Sequence, residues 1–106
     1  MQTFIVELAF LKPFASFGDV VPQHRAFLQT GYDSGLLLMS GPREDKSGGI
    51  VVARAPDLHT LQSFFARDPY KLNGLAEHRF VGFTAAKRAA LVEDWISGAD
   101  CAKMSA

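Results

Sequence analysis

The chain has a single cysteine, no excess of either charge and no long apolar run, and each of these lacks removes a class of function. Cys101 stands alone among 106 residues, so no disulfide can form within the chain and no cysteine-based zinc site can be built. Lysine plus arginine total 11, aspartate plus glutamate total 11, and the formal net charge is zero. Nucleic acid and anionic membrane surfaces call for a basic excess, and nothing in this balance supplies one. No apolar stretch approaches the roughly 20 residues of a membrane-crossing helix. The start, Met1-Gln2-Thr3-Phe4-Ile5-Val6-Glu7, lacks the basic head and apolar core of a signal peptide, so the expected location is the cytoplasm. Neutrality also does little to hinder self-association.

What is present is globular. Hydrophobic residues make up 48% and charged residues 21%, enough for one core and too little chain for two. Residues 2–10 read as a strand, with Phe4, Val6, Leu8 and Phe10 on one face and Thr3, Ile5, Glu7 and Ala9 on the other. After a connector broken by Pro13 and Gly18, the spacing turns helical over 20–34. Asp19 is placed as N-cap, and Pro22 is tolerated in the first turn. Val20, His24, Phe27, Leu28 and Gly31 share a stripe. Residues 36–40 and 50–53 read as strands around a polar hairpin loop, with Gly41-Pro42 ending the first. Pro56-Asp57 opens a second helix, which stops at Asp68 because a residue before proline leaves helical geometry. A short turn closed by Gly74 follows, then a strand over 77–84 and a helix over 85–96 stopped by Gly98, with a small polar tail expected to fray.

The order β-α-β-β-α-β predicts an α+β ferredoxin-like sandwich, a four-stranded antiparallel sheet with both main helices on one face. The strands are apolar on both sides, and helices can shield only one face of so small a sheet. A second copy of the chain, packed sheet to sheet, is the simplest cover, with the C-terminal helix able to do part of the same work. Residues 1–84 are thus expected to form the domain and 85–106 a helical extension and tail.

Five features carry a resemblance: His24 early in the first helix, Ser40-Gly41-Pro42 after the second strand, Gly48-Gly49 before the third, Asp68-Pro69-Tyr70 after the second helix, and Phe83-Thr84 closing the fourth strand. In this order and spacing, roughly over residues 2–84, the chain resembles the YciI-like (YCII-related) family of small single-domain proteins. The resemblance implies a dimeric α+β barrel and an active site centred on a histidine and an aspartate, carried here onto His24 and Asp68. A few relatives with related barrels act on small ring compounds, as dehydrochlorinases or lactone isomerases, which is analogy of fold.

The residues themselves leave alternatives. His24 is either a general base, its charge tuned by a carboxylate, or a buried polar side chain satisfied by backbone. Asp68 is placed to cap the turn that Pro69 opens, and a carboxylate has a second oxygen with which to orient His24. Ser40, Gly41, Pro42, Arg43 and Tyr70 are expected to bind substrate. Glu7 is either an interface carboxylate or a second acid near the pocket. Ser40 lacks the Gly-x-Ser-x-Gly setting of a nucleophile. Arg43, Lys46 and Arg54 read as solvated charges, Arg43 being the best placed to meet an anion. His59 and His78 form no ligand set with His24, and no metal or cofactor is expected. The aromatic interior of Phe27, Phe64, Phe65 and Tyr70 points to a small, partly apolar substrate. Two functions are therefore expected in competition: a cofactor-independent enzyme that isomerises or eliminates through a His24–Asp68 pair, or a non-catalytic dimeric domain that binds a metabolite.

Overall fold

Alternation in the first strand decides the layering of the molecule. In strand β1 (Gln2–Phe10), Phe4, Val6 and Leu8 are buried while Ile5 and Glu7 are half-buried. The computed structural model describes residues 1–101. The other strands are β2 (Leu37–Pro42), β3 (Gly48–Ala55) and β4 (Ala76–Phe83), and the helices are α1 (Val20–Asp33), α2 (Leu58–Phe65), α3 (Pro69–Leu72) and α4 (Glu93–Ser97). The strands pair antiparallel in the order β2-β3-β1-β4, the ferredoxin-like α+β sandwich that the element order predicts.

Register extends the alternation across the sheet. Phe4 pairs with Ala53 and Gly82, and Val6 with Val51 and Phe80, so these side chains share the helix-covered face. Leu61, Phe64 and Phe65 of α2 are buried in the same core. Burying each such side chain contributes roughly 1.5–3 kcal/mol. Helix α1 lies close: a Cβ on Gly31 would stand 2.7 Å from Leu37 Cδ1 and 2.8 Å from Phe64 Cζ. Phe27, expected on the inward stripe, stacks on Phe64 at 4.5 Å between centroids.

The opposite face is half open. Ile5, Val52 and Val81 lie side by side across it and are half-buried, with Met39 and Phe83 exposed. One end of this face is covered by the C-terminal segment, which corrects the reading of Arg54. Arg54 is only 1% exposed. Its Nε donates to Gly35 O at 2.7 Å, Nη1 to Trp95 O at 2.7 Å and Nη2 to Asp100 Oδ2 at 2.8 Å, and Nη1 also bonds Asp100 Oδ1. The indole of Trp95 stacks beneath the guanidinium, 5.1 Å from its centroid.

Two other expectations need correcting. Asp19 makes no side-chain cap; the first turn of α1 is held instead by Val20 N–H and Val21 N–H donating to Phe17 O and Gly18 O. The helix expected over 85–96 is much shorter. A 3-10 turn at Ala90–Val92 leads into α4 (Glu93–Ser97). Before it, Arg88 donates to Ala85 O and to both carboxylate oxygens of Glu93, fixing a bent rather than helical path. Leu91 is 93% exposed, so its side chain gives a longer helix no packing support. Gly98, at φ 82°, ends α4. The frayed tail expected beyond falls partly on residues 102–106, outside the described residues. No helix among the described residues is long and apolar enough to cross a membrane.

Candidate functional site

The site forms where the start of α1, the start of α3 and strand β4 meet. Asp68 stands just before Pro69, whose fixed φ opens a helical turn. Its Oδ1 accepts from Tyr70 N–H at 2.9 Å, the cap that the Asp-Pro pair predicts. The same oxygen accepts from His24 Nδ1 at 2.7 Å, and Oδ2 accepts from His78 Nε2 at 2.9 Å. Asp68 is fully buried, at 0% exposure. Burial pushes its carboxyl up, but hydrogen bonds from His24 and His78, the charge of His24 and the Tyr70 N–H together hold it down at about 2. It is therefore a carboxylate at neutral pH and can only accept, so each ring donates the proton it carries toward Asp68.

That assignment settles what His24 offers. Neutral His24 carries its proton on Nδ1, which leaves the lone pair on Nε2, and Nε2 has no hydrogen-bond partner among the described residues. The His24 side chain is 10% exposed, and the ring stacks on Tyr70, 3.7 Å between centroids and 5° from parallel. Burial, with the Asp68 charge beside it, raises the Tyr70 phenol above its usual value, so it stays protonated at neutral pH.

His24 and Tyr70 line a cavity of about 610 Å³. Ser40, Gly41, Pro42 and Arg43 line it as well. A bulge between Leu37 and Met39 shifts the β2 register, so Leu37 opposes Ala53 and Ser40 opposes Val51, both on the covered face. The bulge thus turns Ser40 toward the helices, where its hydroxyl lies 2.5 Å from that of Tyr32. Gly48, also in the lining, admits no side chain, since a Cβ there would stand 1.7 Å from Leu8 O.

Glu7 is not part of this cavity. It lies on the open face of the sheet and faces Arg79 at 3.8 Å. Phe27, Phe64 and Phe65 do not line it either; they fill the core, and the aromatic wall is Phe10, Phe14 and Tyr70. Arg25 and Lys46 join Arg43 at the rim, with Glu44 opposing them. Arg43 also faces Asp45 at 3.6 Å. The sequence reading passed over His78. Its signal was the alternation Ala76-His78-Phe80, which puts the ring on the covered face with Phe80. His24, Asp68 and His78 bond to one another in a chain, and no group of three such side chains placed to hold a metal ion is found among the described residues.

A solved structure of 5-chloro-2-hydroxyhydroquinone dehydrochlorinase from Burkholderia phenoliruptrix AC1100, in complex with 2,5-dihydroxybenzoquinone, superposes with a TM-score of 0.61 at 19% identity, over 82% of this chain and 95% of that one. An antibiotic biosynthesis monooxygenase superposes with a TM-score of 0.55 at 16% identity, over 80% of this chain and 99% of that one. At such identities the likeness is one of fold. No curated protein sequence matches. Residues 11–83, which include His24, the Ser40-Gly41-Pro42 corner, Asp68 and His78, match the YCII-related domain, and the chain belongs to that family.

Proposed function

We propose that the chain is a small enzyme in which His24 moves a proton on a small, partly apolar molecule, with Asp68 fixing the tautomer and stabilising the imidazolium. One observation carries this reading: His24, on the wall of the cavity, donates from Nδ1 at 2.7 Å to a fully buried carboxylate. Such a pair can work without a cofactor. A carbon acid beside a carbonyl gives its proton to Nε2, and the electron pair moves into the carbonyl as an enolate. In an isomerisation His24 returns the proton at another carbon; in an elimination the enolate expels a leaving group from the β carbon. Ser40, the Gly41-Pro42 backbone and Arg43 would hold a polar substituent, while Phe10, Phe14 and Tyr70 face the apolar body. The dehydrochlorinase of like fold, solved with a quinone, makes ring compounds a sensible first panel.

The test begins with a thermal-shift screen of small ring acids, quinones and lactones, followed by turnover of each binder. His24→Ala is expected to bind comparably and to lose about 10²- to 10⁴-fold in rate. A variant that turns over every identified ligand like the parent would end the proposal. The working unit in this reading is a homodimer that covers Ile5, Val52, Val81 and Met39. Light scattering is expected to give twice the 11.6 kDa chain mass, and a monomer at micromolar concentration would remove the dimer from the scheme.

A further inference from the structure

Asp68 serves two histidines, and they are not equivalent. His24 meets Oδ1 and keeps Nε2 on the cavity side. His78 meets Oδ2 from a side chain that is 2% exposed, and its remaining nitrogen, Nδ1, is buried without a hydrogen-bond partner. The ring packs between Phe65, 5.1 Å away, and Phe80, 6.4 Å away. That apolar setting offers Nδ1 no acceptor for an N–H, and His78 is not among the residues that line the cavity. His24 faces no such obstacle, since its second nitrogen opens on a cavity. The other charged or titratable groups nearby are Tyr70, stacked on His24, and Arg25 at the cavity rim. On β4, Glu77 and Arg79 alternate to the opposite face of the sheet.

We infer that His78 is a positioning residue for the His24–Asp68 pair: a neutral donor that holds Oδ2 so that Oδ1 stays aimed at His24. It rests on the reading of His24 as the proton-moving group. Because His78 donates without charge, it satisfies one oxygen of Asp68 yet leaves the anion's charge to stabilise His24 when that ring is protonated. A cation in its place would neutralise the carboxylate, and an apolar residue would leave a buried oxygen unpaired. Of the two histidines on this carboxylate, His24 lines the cavity and His78 does not, so only His24 is placed to meet a substrate.

The experiment is nitrogen-15 NMR of the histidine rings in the whole chain, which needs neither substrate nor turnover. In the parent at neutral pH, His24 is expected as the Nδ1–H form and His78 as the Nε2–H form. Finding His78 doubly protonated there would overturn the inference. His78→Phe keeps ring volume but removes the donor, and should lose the single Nδ1–H form and the downfield Nδ1 proton of His24. His78→Gln, whose amide reaches about as far as Nε2, should restore both. A packing role predicts the reverse order, with phenylalanine preserving the His24 signature and glutamine degrading it, and that order would also overturn the inference. Should the phenylalanine variant fail to fold, the glutamine variant decides alone: retention of the His24 signature supports the positioning role, and its loss refutes it. The enzymatic reading fails on a different result, namely full turnover by His24→Ala.

Discussion

Two charged side chains are buried among the described residues, Arg54 and Asp68, and they are buried for different ends. Arg54 spends its donors on Gly35 O, Trp95 O and the carboxylate of Asp100. None of these partners changes protonation near neutral pH, and together they fasten the C-terminal segment over one end of the open sheet face. Asp68 has one backbone donor and two imidazoles. Imidazole is the side chain whose charge changes near neutrality, and one of the two lines a cavity. Burial of a charge therefore says little about chemistry. What separates a clasp from a site is whether a partner can give up or take a proton and whether that partner reaches a space a ligand can enter.

Exchanging the two charges for neutral side chains should separate chemistry from stability. Asp68→Asn should have the largest effect, a loss of about 10²- to 10⁴-fold in turnover with the chain still folded. It should also alter the acid limb of stability. The folded carboxyl lies at about 2 against an ordinary 3.8. A depressed pKa contributes stability that is present above the unfolded value and is lost as pH falls through the folded one, here about 2 kcal/mol lost between roughly pH 5 and 2. Urea unfolding in steps of pH should show the parent's advantage over the variant shrinking across that window. Arg54→Met comes next: it takes the guanidinium from Asp100 and Trp95 O and leaves Gly35 O only the indole N–H of Trp95, which should cost about 1–3 kcal/mol, read by the same unfolding at pH 7, while turnover per folded molecule stays at the parent value. A folded Arg54→Met that has lost turnover would show that the clasp and the site are one system.

How far the sequence discloses these two regions follows from the range of the forces involved. The sheet and its helices were legible because alternation in 2–10 and the stripe through His24 and Gly31 are local records of one buried face. Asp68 as a cap was legible for the same reason, since Pro69 and Gly74 bracket its turn. The Asp68 contact to His24 spans 44 positions, and only the order of motifs hinted at it. His78 was readable from its parity with Phe80 but was weighed only as a metal ligand and set aside, and so its place beside Asp68 was missed. Arg54 was beyond reach: its partners Trp95 and Asp100 lie some 40 positions away, and the spacing of Leu91 with Trp95 and Val92 with Ile96 suggested a longer helix there than exists. Ser40 faces the cavity only because β2 bulges, and no residue there announces a bulge.

Ser40 and Tyr32 share one hydrogen bond of 2.5 Å, but Ser40 lines the cavity and Tyr32 does not. Removing the bond from either side should cost about the same stability, roughly 0.5–1 kcal/mol for a solvent-accessible pair. Function should separate them. If Ser40 holds a polar group of the substrate, Ser40→Ala loses that contact in ground state and transition state alike, raising KM by about five-fold with kcat near the parent value. Tyr32→Phe removes the same internal bond, frees the serine hydroxyl for the ligand and should leave KM unchanged or lower. Equal KM values in the two variants, at equal stability, would mean that Ser40 contributes only to the strand–helix contact, and the polar end of the cavity would then belong to the Gly41-Pro42 backbone and Arg43.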